Sequence, residues 1–384
     1  MTHYNILLIS TEFPPGPGGI GRHAYCLSSA LADRHCQVTV LTESDNATPA
    51  ELAAFDRAHE KSFRIVRTPR KGIATYFLRI ANTLRLVAEI RPEVVIVSGK
   101  FSLWLGALVK LLKGSHIQVW AFLHGSELRL PRWAAQAGTV FSLRRLDRLI
   151  AVSSFTQKLL PADLQQRAEI LPNGLLLSSM PADHGRDIPP FEWPGWPRLL
   201  TVGSMTPRKG QHRVIKALPH LRRIWPDIRY HIVGMPHHQD ALVALAETLG
   251  VSDNVVFHGR LSGDNLLWQA YRSADLFVML SENQPDGDVE GFGIAILEAN
   301  YFGLPAIGAS GCGIEDAIHP GYNGFLVDGN DPAAIAQSIE QALSQKEALS
   351  ANARHFAAEH DWNKLAALLL QGNIKNTPVR RVRG

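Results

Sequence analysis

Residues 4–10 read Tyr-Asn-Ile-Leu-Leu-Ile-Ser, and a loop rich in proline and glycine follows this apolar run. The next segment, 21–34, has apolar side chains at helical spacing, and 37–41 is a short run with β-branched residues. A buried strand, a helix and a second buried strand in this order are typical of the βαβ unit. The stretch therefore predicts a parallel sheet that is covered by helices on both faces.

The same alternation continues along the chain and is interrupted once. Further strands are predicted at 94–98, 118–123 and 149–152, and then at 199–203, 230–234, 255–258 and 276–280. Helices are predicted at 211–224 and 263–273. Residues 181–197 hold five prolines in seventeen positions. Because proline suits neither a helix interior nor a central strand, this segment is predicted to be an interdomain linker.

Length and pattern together predict a two-domain α/β protein, because 384 residues exceed what one hydrophobic core usually supports. We expect two Rossmann-like, doubly wound domains that face each other across a cleft. The first covers 1–185, the second covers 186–360, and 361–384 forms a helix and a basic tail, with the helix packing back on the first domain. In open α/β sheets ligands bind beyond the carboxyl ends of the strands.

Composition narrows the class of protein further. The chain is 46% hydrophobic and 19% charged, which is typical of a globular protein. No apolar run is long enough to span a bilayer, and the first residues lack the features of a signal peptide. The three cysteines, Cys26, Cys36 and Cys312, have no metal-binding spacing and are predicted to be buried thiols. We therefore expect a cytoplasmic protein.

The charge is unevenly divided between the two halves. Residues 1–185 contain 21 Lys and Arg against 14 Asp and Glu, whereas the remaining residues contain 18 against 21. Arginines of the first half cluster near 64–71 and 129–148. Such clusters can hold a protein on an anionic membrane or attract a phosphorylated partner, and the alternative is that they lie on solvated helix faces. No nucleic-acid-binding motif accompanies them, so nucleic acid is not expected as a partner.

Residues 290–298 read Glu-Gly-Phe-Gly-Ile-Ala-Ile-Leu-Glu, with two carboxylates eight residues apart. The apolar part predicts a helix that starts near Gly293. The amides of Phe292, Gly293 and Ile294 would then be unpaired at a helix N-terminus, where an anion is favoured. Between Glu290 and Glu298, such a cradle suits a phosphorylated sugar, but an ordinary loop and helix with surface acids also fits.

The loop after the first strand contains Gly16, Gly18 and Gly21, which match the dinucleotide fingerprint G-x-G-x-x-G, and Glu43 lies where a ribose-binding acid is expected. This match supports an alternative function, a dinucleotide-dependent oxidoreductase. However, five residues separate the strand from Gly16, whereas the fingerprint requires its first glycine directly after the strand.

Three more polar groups follow predicted strands. Arg208 and Lys209 open a helix, where two cations can neutralise a diphosphate leaving group. His124 follows the strand at 118–123. Asp286 and Asp288 form a D-x-D triplet that holds a divalent ion in some glycosyltransferases, but solvated acids that shape the loop are the alternative. We expect no metal site and no cofactor.

In this order along nearly the whole chain, the motifs resemble those of the retaining glycosyltransferases of family 4, which have the GT-B architecture. The matching stretches are Gly18-Gly19-Ile20-Gly21, His124-Gly125, Pro172-Asn173-Gly174, Pro207-Arg208-Lys209-Gly210 and the two glutamates at 290 and 298. One position departs from the pattern, because many members carry an arginine where this chain has Ser204.

The resemblance implies roles for individual residues. Lys209 and Arg208 would contact the donor diphosphate, and Gly18 and Gly19 would lie against the diphosphate and donor sugar. Glu290 would hold sugar hydroxyls, and Glu298 would bind the ribose. His124 would face the reacting sugar, and Arg260 and Leu261 would border the nucleobase. The sugar and phosphate would also contact the amides of Phe292, Gly293 and Ile294.

The resemblance also implies an activity. A hexosyl or N-acetylhexosaminyl group would pass with retention from a UDP- or GDP-sugar to a lipid-linked or cell-surface polysaccharide acceptor. A small soluble acceptor is the alternative within this class. The basic first half and the stretch 101–113, with its tryptophan and flanking lysines, favour a peripheral membrane location. A buried helix explains that stretch equally well.

Overall fold

The computed structural model describes residues 4–44, 47–372 and 374. Its contacts divide the chain into two compact units. The amino-terminal unit extends to Leu176 and resumes at Asp361, and the carboxyl-terminal unit runs from Leu177 to His360. The predicted basic tail, with Lys375, Arg380, Arg381 and Arg383, lies outside the described residues.

Strands and helices alternate in both units. The first part of the chain forms β1 (Asn5–Ser10), α1 (Gly19–Ala32), β2 (Gln37–Ser44), α2 (Pro49–His59), β3 (Arg64–Pro69), α3 (Ala74–Ile90), β4 (Val94–Ser98), α4 (Lys100–Lys113), β5 (Gln118–Leu123), α5 (Trp133–Leu143), β6 (Arg148–Ala151), α6 (Ser154–Lys158), α7 (Ala162–Gln165) and β7 (Ala168–Ile170). The carboxyl-terminal unit contains β8 (Arg198–Val202), α8 (Gln211–Ile224), β9 (Arg229–Val233), α9 (Gln239–Thr248), β10 (Val255–Gly259), α10 (Asp264–Ser273), β11 (Leu276–Met279), α11 (Ile294–Tyr301), β12 (Ala306–Ala309), β13 (Gly324–Val327), α12 (Pro332–Ser344) and α13 (Lys346–Glu359). The chain then returns to the amino-terminal unit as α14 (Trp362–Gln371).

Each unit is built on one parallel sheet. The strand order is β3-β2-β1-β4-β5-β6-β7 in the amino-terminal unit and β10-β9-β8-β11-β12-β13 in the carboxyl-terminal unit. The order reverses between β1 and β4 in the first sheet and between β8 and β11 in the second. In doubly wound sheets this reversal opens a crevice at the carboxyl ends of the strands. The predicted α/β fold class is confirmed.

Four strands have no counterpart in the sequence prediction, namely β3, β7, β12 and β13. Arg64 and Arg67 lie on the edge strand β3. For this first arginine cluster, the alternative of a solvated helix face is therefore wrong. Both arginines form ion pairs: Arg67 Nη2 lies 2.7 Å from Asp56 Oδ1, and Arg64 Nη1 lies 2.5 Å from Glu89 Oε1. An edge strand is covered on one side only, and its polar residues hide the apolar run by which buried strands are found.

Helix α14 completes the core of the amino-terminal unit. Trp362 and Leu369 are fully buried and belong to the same apolar cluster as Leu27 and Leu31 of α1. The backbone N–H of Trp362 donates to the carbonyl of Leu175 at 2.9 Å. The return of the chain therefore supplies part of this unit's interior.

The described residues contain no helix that is long and apolar enough to cross a membrane. The stretch 101–113 lies within α4, where Leu103, Leu105 and Val109 face the core and Leu111 and Leu112 are exposed. All three cysteines are free and buried, as predicted.

A buried ion pair joins α3 to β2. The fully buried Arg79 donates to the Glu43 carboxylate at 2.7 Å and to the Ser102 hydroxyl at 2.9 Å. Burial lowers the pKa of Arg79, and the charge of Glu43 opposes this shift. The Glu43 carboxylate is thus engaged in an ion pair inside the unit, which argues against a ribose-binding role.

We predict that Glu43→Ala lowers the free energy of unfolding by about 3–5 kcal/mol, because it leaves the Arg79 charge buried without its partner. Glu89→Ala is the matched control, since it removes an exposed ion pair with Arg64 and should change stability little. Chemical denaturation of both variants measures the difference. Equal losses would show that burial of the Glu43–Arg79 pair does not matter.

Candidate active site

Four charged side chains form a cluster in the carboxyl-terminal unit. The Glu290 carboxylate accepts hydrogen bonds from Lys209 Nζ at 2.6 Å and from the Arg208 guanidinium. Arg208 Nε also donates to Asp288 Oδ2 at 3.0 Å. Glu290 is buried, and Lys209 and Arg208 are largely covered. Three of the predicted site residues, Arg208, Lys209 and Glu290, are therefore in direct contact.

The fold brings these groups together at the topological switch of the second sheet. The 3-10 turn Pro207–Lys209 follows β8, and the loop that carries Glu290 follows β11. Gly210 joins the turn to α8 with φ 72°, and a Cβ at this position would lie 1.9 Å from the carbonyl oxygen of Leu280. Only glycine permits this approach. The Arg208 carbonyl also accepts a hydrogen bond from the Glu282 amide at 2.9 Å.

The cluster fixes the ionisation of its members. Burial alone would raise the pKa of Glu290, but the charges and hydrogen bonds of Lys209 and Arg208 outweigh it and lower that pKa to about 2. Burial lowers the pKa of Lys209, and Glu290 opposes the shift. For Arg208, burial is outweighed by Glu290 and Asp288, which raise its pKa. Glu290 is thus ionised at neutral pH and cannot donate a proton.

Helix α11 begins at Ile294, as predicted, and Gly293 precedes it with φ 86°. The amides of Phe292, Gly293 and Ile294 form no hydrogen bond with another described residue. They leave positive potential at the start of a helix that directly follows the Glu290 loop. This arrangement can accept an anion next to the charged cluster.

Glu298 lies in α11 and is partly buried. Its carboxylate accepts a hydrogen bond from the Tyr271 hydroxyl at 2.9 Å, from α10. Arg260 and Leu261 follow β10, and Arg260 is exposed. Within the described residues, no ion pair or hydrogen bond joins Arg260 to the charged cluster.

His124 lies at the carboxyl end of β5 in the amino-terminal unit. Its Nε2 is 2.8 Å from the hydroxyl of Ser98, the last residue of β4. Its amide donates to the carboxylate of the buried Glu127. The ring of His23 packs edge-on against it at 4.7 Å between centroids. Burial and, second, the neighbouring His23 lower the pKa of His124 well below its ordinary value, so the ring is neutral at neutral pH.

Gly18 and Gly19 stand at the start of α1, after the loop that leaves β1. The Glu12 carboxylate lies at this helix N-terminus, where it accepts a hydrogen bond from the Gly21 amide at 3.4 Å. An acidic side chain of the chain itself therefore faces the place where the sequence predicted a diphosphate. Eight residues separate β1 from α1, which differs from the short turn of the dinucleotide fingerprint.

Several neighbours of the predicted residues were missed. Asn173, which the sequence analysis placed in a family motif without a role, is buried, and its Oδ1 lies 2.7 Å from Nδ1 of His23. No sequence pattern pointed to His23, Glu127 or Tyr271 as neighbours of the site. Their partners are distant in sequence or belong to irregular loops. Asp288 was considered for a metal, and its position beside Arg208 could have been inferred only from the cluster of cations across the sheet.

Comparisons with known proteins show the family to which the chain belongs. The family model for glycosyltransferase family 4 matches residues 17–178, and the model for glycosyl transferases group 1 matches 192–359. A GDP-mannose-dependent alpha-(1-6)-phosphatidylinositol monomannoside mannosyltransferase of Mycolicibacterium smegmatis is 27% identical, over 95% of this chain and 97% of the relative. A GDP-mannose-dependent monoacylated alpha-(1-6)-phosphatidylinositol monomannoside mannosyltransferase of Corynebacterium glutamicum is 28% identical, over 93% and 94%.

Solved structures show the same fold. Anabaena HepE in complex with UDP and glucose has a TM-score of 0.74 at 20% identity, and the match covers 96% of this chain and 99% of that one. Sucrose-phosphate synthase from Thermosynechococcus elongatus has a TM-score of 0.75 at 21% identity, with 96% and 98% covered. With one family model on each unit, the chain belongs to the group 1 glycosyltransferases of family 4 and is a nucleotide-sugar glycosyltransferase of the GT-B type.

Proposed function

We propose that this enzyme transfers a hexosyl or N-acetylhexosaminyl group, with retention of anomeric configuration, from a GDP- or UDP-sugar to a lipid-linked or cell-surface polysaccharide acceptor. The observation that carries the proposal is the contact of Lys209 and Arg208 with Glu290 beside the start of α11. Relatives that match over nearly their whole length use GDP-mannose and phosphatidylinositol mannosides, which supports this donor class and a lipid acceptor.

The cations are proposed to stabilise the leaving group. As the bond between sugar and diphosphate breaks, negative charge grows on the phosphate oxygens, and preorganised donors in a buried site stabilise this charge strongly. Lys209 and Arg208 would supply two positive charges, and the amides of Phe292, Gly293 and Ile294 would supply neutral donors. Because Ser204 cannot contribute a charge, Lys209 and Arg208 carry this task in our proposal.

Glu290 is proposed to bind hydroxyl groups of the donor sugar. Its pKa of about 2 keeps it as a hydrogen-bond acceptor at neutral pH, which suits this role and does not suit a general acid. We assign no nucleophile, and the departing phosphate itself is proposed to take the acceptor proton. The two cations also fix the orientation of Glu290 before the donor arrives.

The other predicted residues are assigned by analogy with the family. Gly18 and Gly19 would contact the diphosphate and donor sugar, and the neutral His124 would face the reacting sugar. Glu298, held by Tyr271, would bind the ribose, and Arg260 and Leu261 would border the nucleobase. We propose no metal and no other cofactor, and the location remains predicted as cytoplasmic and peripheral on the inner face of the cell membrane.

The sequence left two alternative functions, and one of them is still open. A small soluble acceptor remains open, and a panel of acceptors would decide it. The oxidoreductase alternative is not retained, because the chain belongs to a glycosyltransferase family and Glu43 is ion-paired with Arg79.

We predict that Lys209→Ala lowers kcat/KM for sugar transfer about 100- to 1000-fold, since one donor to the developing phosphate charge is lost. Lys216→Ala is the control, because Lys216 is an exposed lysine on α8. Thermal unfolding of both variants verifies the fold. Undiminished turnover of Lys209→Ala would remove this residue from the mechanism.

We predict that GDP or UDP raises the Tm of the protein and that NAD and FAD do not, because only a ligand of the folded state stabilises it. At a concentration 100 times Kd the stabilisation is about 2.7 kcal/mol. Glu298→Gln should weaken the shift with either nucleotide. A shift with NAD and none with GDP or UDP would contradict the proposal.

The ionisation of Glu290 gives a prediction for stability against pH. Its pKa in the folded protein lies below the ordinary 4.5, so ionised Glu290 stabilises the fold above pH 4.5, and this stabilisation is lost as the pH falls toward 2. The stability difference between wild type and Glu290→Gln should therefore shrink by up to about 3 kcal/mol over this range. Chemical denaturation measures it, with Glu247→Gln on the surface as control. A constant difference would contradict the assigned pKa.

A further inference from the structure

A cavity of about 320 Å³ lies between α3, α4 and α5 of the amino-terminal unit. It is lined by Tyr76, Lys100, Phe101, Trp104, Leu130 and Ala135. Its volume lies at the lower end of the range of small-molecule pockets. Lys100 is the one charged residue of this lining, and the charged cluster of the carboxyl-terminal unit has no part in it.

The aromatic wall of the cavity is held in place by neighbouring groups. Phe101 packs edge-on against Tyr76 at 4.8 Å and near Trp104 at 6.0 Å between ring centroids. The indole Nε1 of Trp104 donates to the Thr139 hydroxyl at 3.1 Å, which anchors the ring to α5. A rigid apolar cavity of this kind favours an apolar ligand group without the cost of ordering the wall.

Exposed apolar side chains lie on the elements that form the cavity. Three of them lie at helical spacing around the start of α3: Ile73 is 76% exposed, Tyr76 50% and Phe77 69%. Trp133, the first residue of α5, is 84% exposed. Contiguous exposed apolar surface marks a site of interaction with a protein, a ligand or a membrane.

The charge of the residues around the cavity indicates which kind of ligand it binds. Residues 61–88, 94–126 and 128–146 contain seven, three and four Lys or Arg, respectively, and no Asp or Glu. Arg129 and Arg132 flank Leu130, both are exposed, and neither forms an ion pair with another described residue. An apolar cavity next to these two exposed arginines and Lys100 is complementary to an amphiphile with an anionic headgroup.

The cavity also adjoins the edge of the sheet where His124 lies. Lys100 begins α4 two residues after Ser98, whose hydroxyl is 2.8 Å from His124. We propose that this cavity binds one fatty acyl chain of the lipid-linked acceptor and that Lys100, Arg129 and Arg132 contact its phosphate. This inference rests on the proposed lipid acceptor, and it assigns a place for the acceptor's tail.

The test uses the full-length protein and monomeric dodecyl phosphate, with binding measured by isothermal titration calorimetry. We expect saturable binding that Ala135→Phe weakens at least 10-fold, because the added ring fills the cavity. Ala137→Phe is the matched control, since Ala137 is an exposed residue of α5 outside the lining, and it should bind like wild type. No binding by wild type, or equal binding by the two variants, would overturn the proposal.

A second variant keeps the test decisive if Ala135→Phe does not fold. Lys100→Glu should weaken the binding of dodecyl phosphate and leave that of uncharged dodecyl maltoside unchanged; an equal effect on both would contradict the assigned phosphate contact. Thermal shift with GDP and UDP is measured on the same samples. In the wild-type protein, absence of nucleotide binding alone would refute the proposed function, whereas absence of dodecyl phosphate binding alone would refute only the acyl site.

Discussion

The burial of Glu290 between two cations is the interaction on which the candidate site depends. A carboxylate in a buried position is stable only if its charge is compensated, and Lys209 and Arg208 provide this compensation. The same requirement applies in reverse to Lys209, whose own burial is offset by Glu290. The loop after β11 and the turn after β8 therefore hold each other in place.

Parallel topology explains why distant segments meet. All strands of such a sheet end at one edge, so the residues that follow β8 and β11 become neighbours although about 80 positions separate them. The same holds in the amino-terminal unit for Ser98 and His124, which lie at the carboxyl ends of the adjacent strands β4 and β5. Both sets of contacts lie beside the reversal of strand order, where the backbone leaves room for a ligand.

Much of the fold could be predicted from the sequence, because buried parallel strands such as β4 and β5 read as uninterrupted apolar runs. The edge strand β3 could not, since Arg64 and Arg67 mask its pattern. At the site, Lys209 and Glu290 were predicted separately, and their contact was not, because no local pattern encodes which side chains meet across a sheet. The partners His23 and Asn173 were missed for the same reason, since 150 positions separate them.

The position of α14 has a consequence for how the chain folds during synthesis. The carboxyl-terminal unit is one continuous segment inserted between Leu176 and Asp361, and it can complete its core as soon as its own residues have emerged. The amino-terminal unit, although made first, cannot bury Leu27 and Leu31 fully until Trp362 and Leu369 arrive. At roughly 5–20 residues per second, the interval is on the order of 10–40 s. During that time the apolar side chains that α14 later covers stay exposed on the nascent chain.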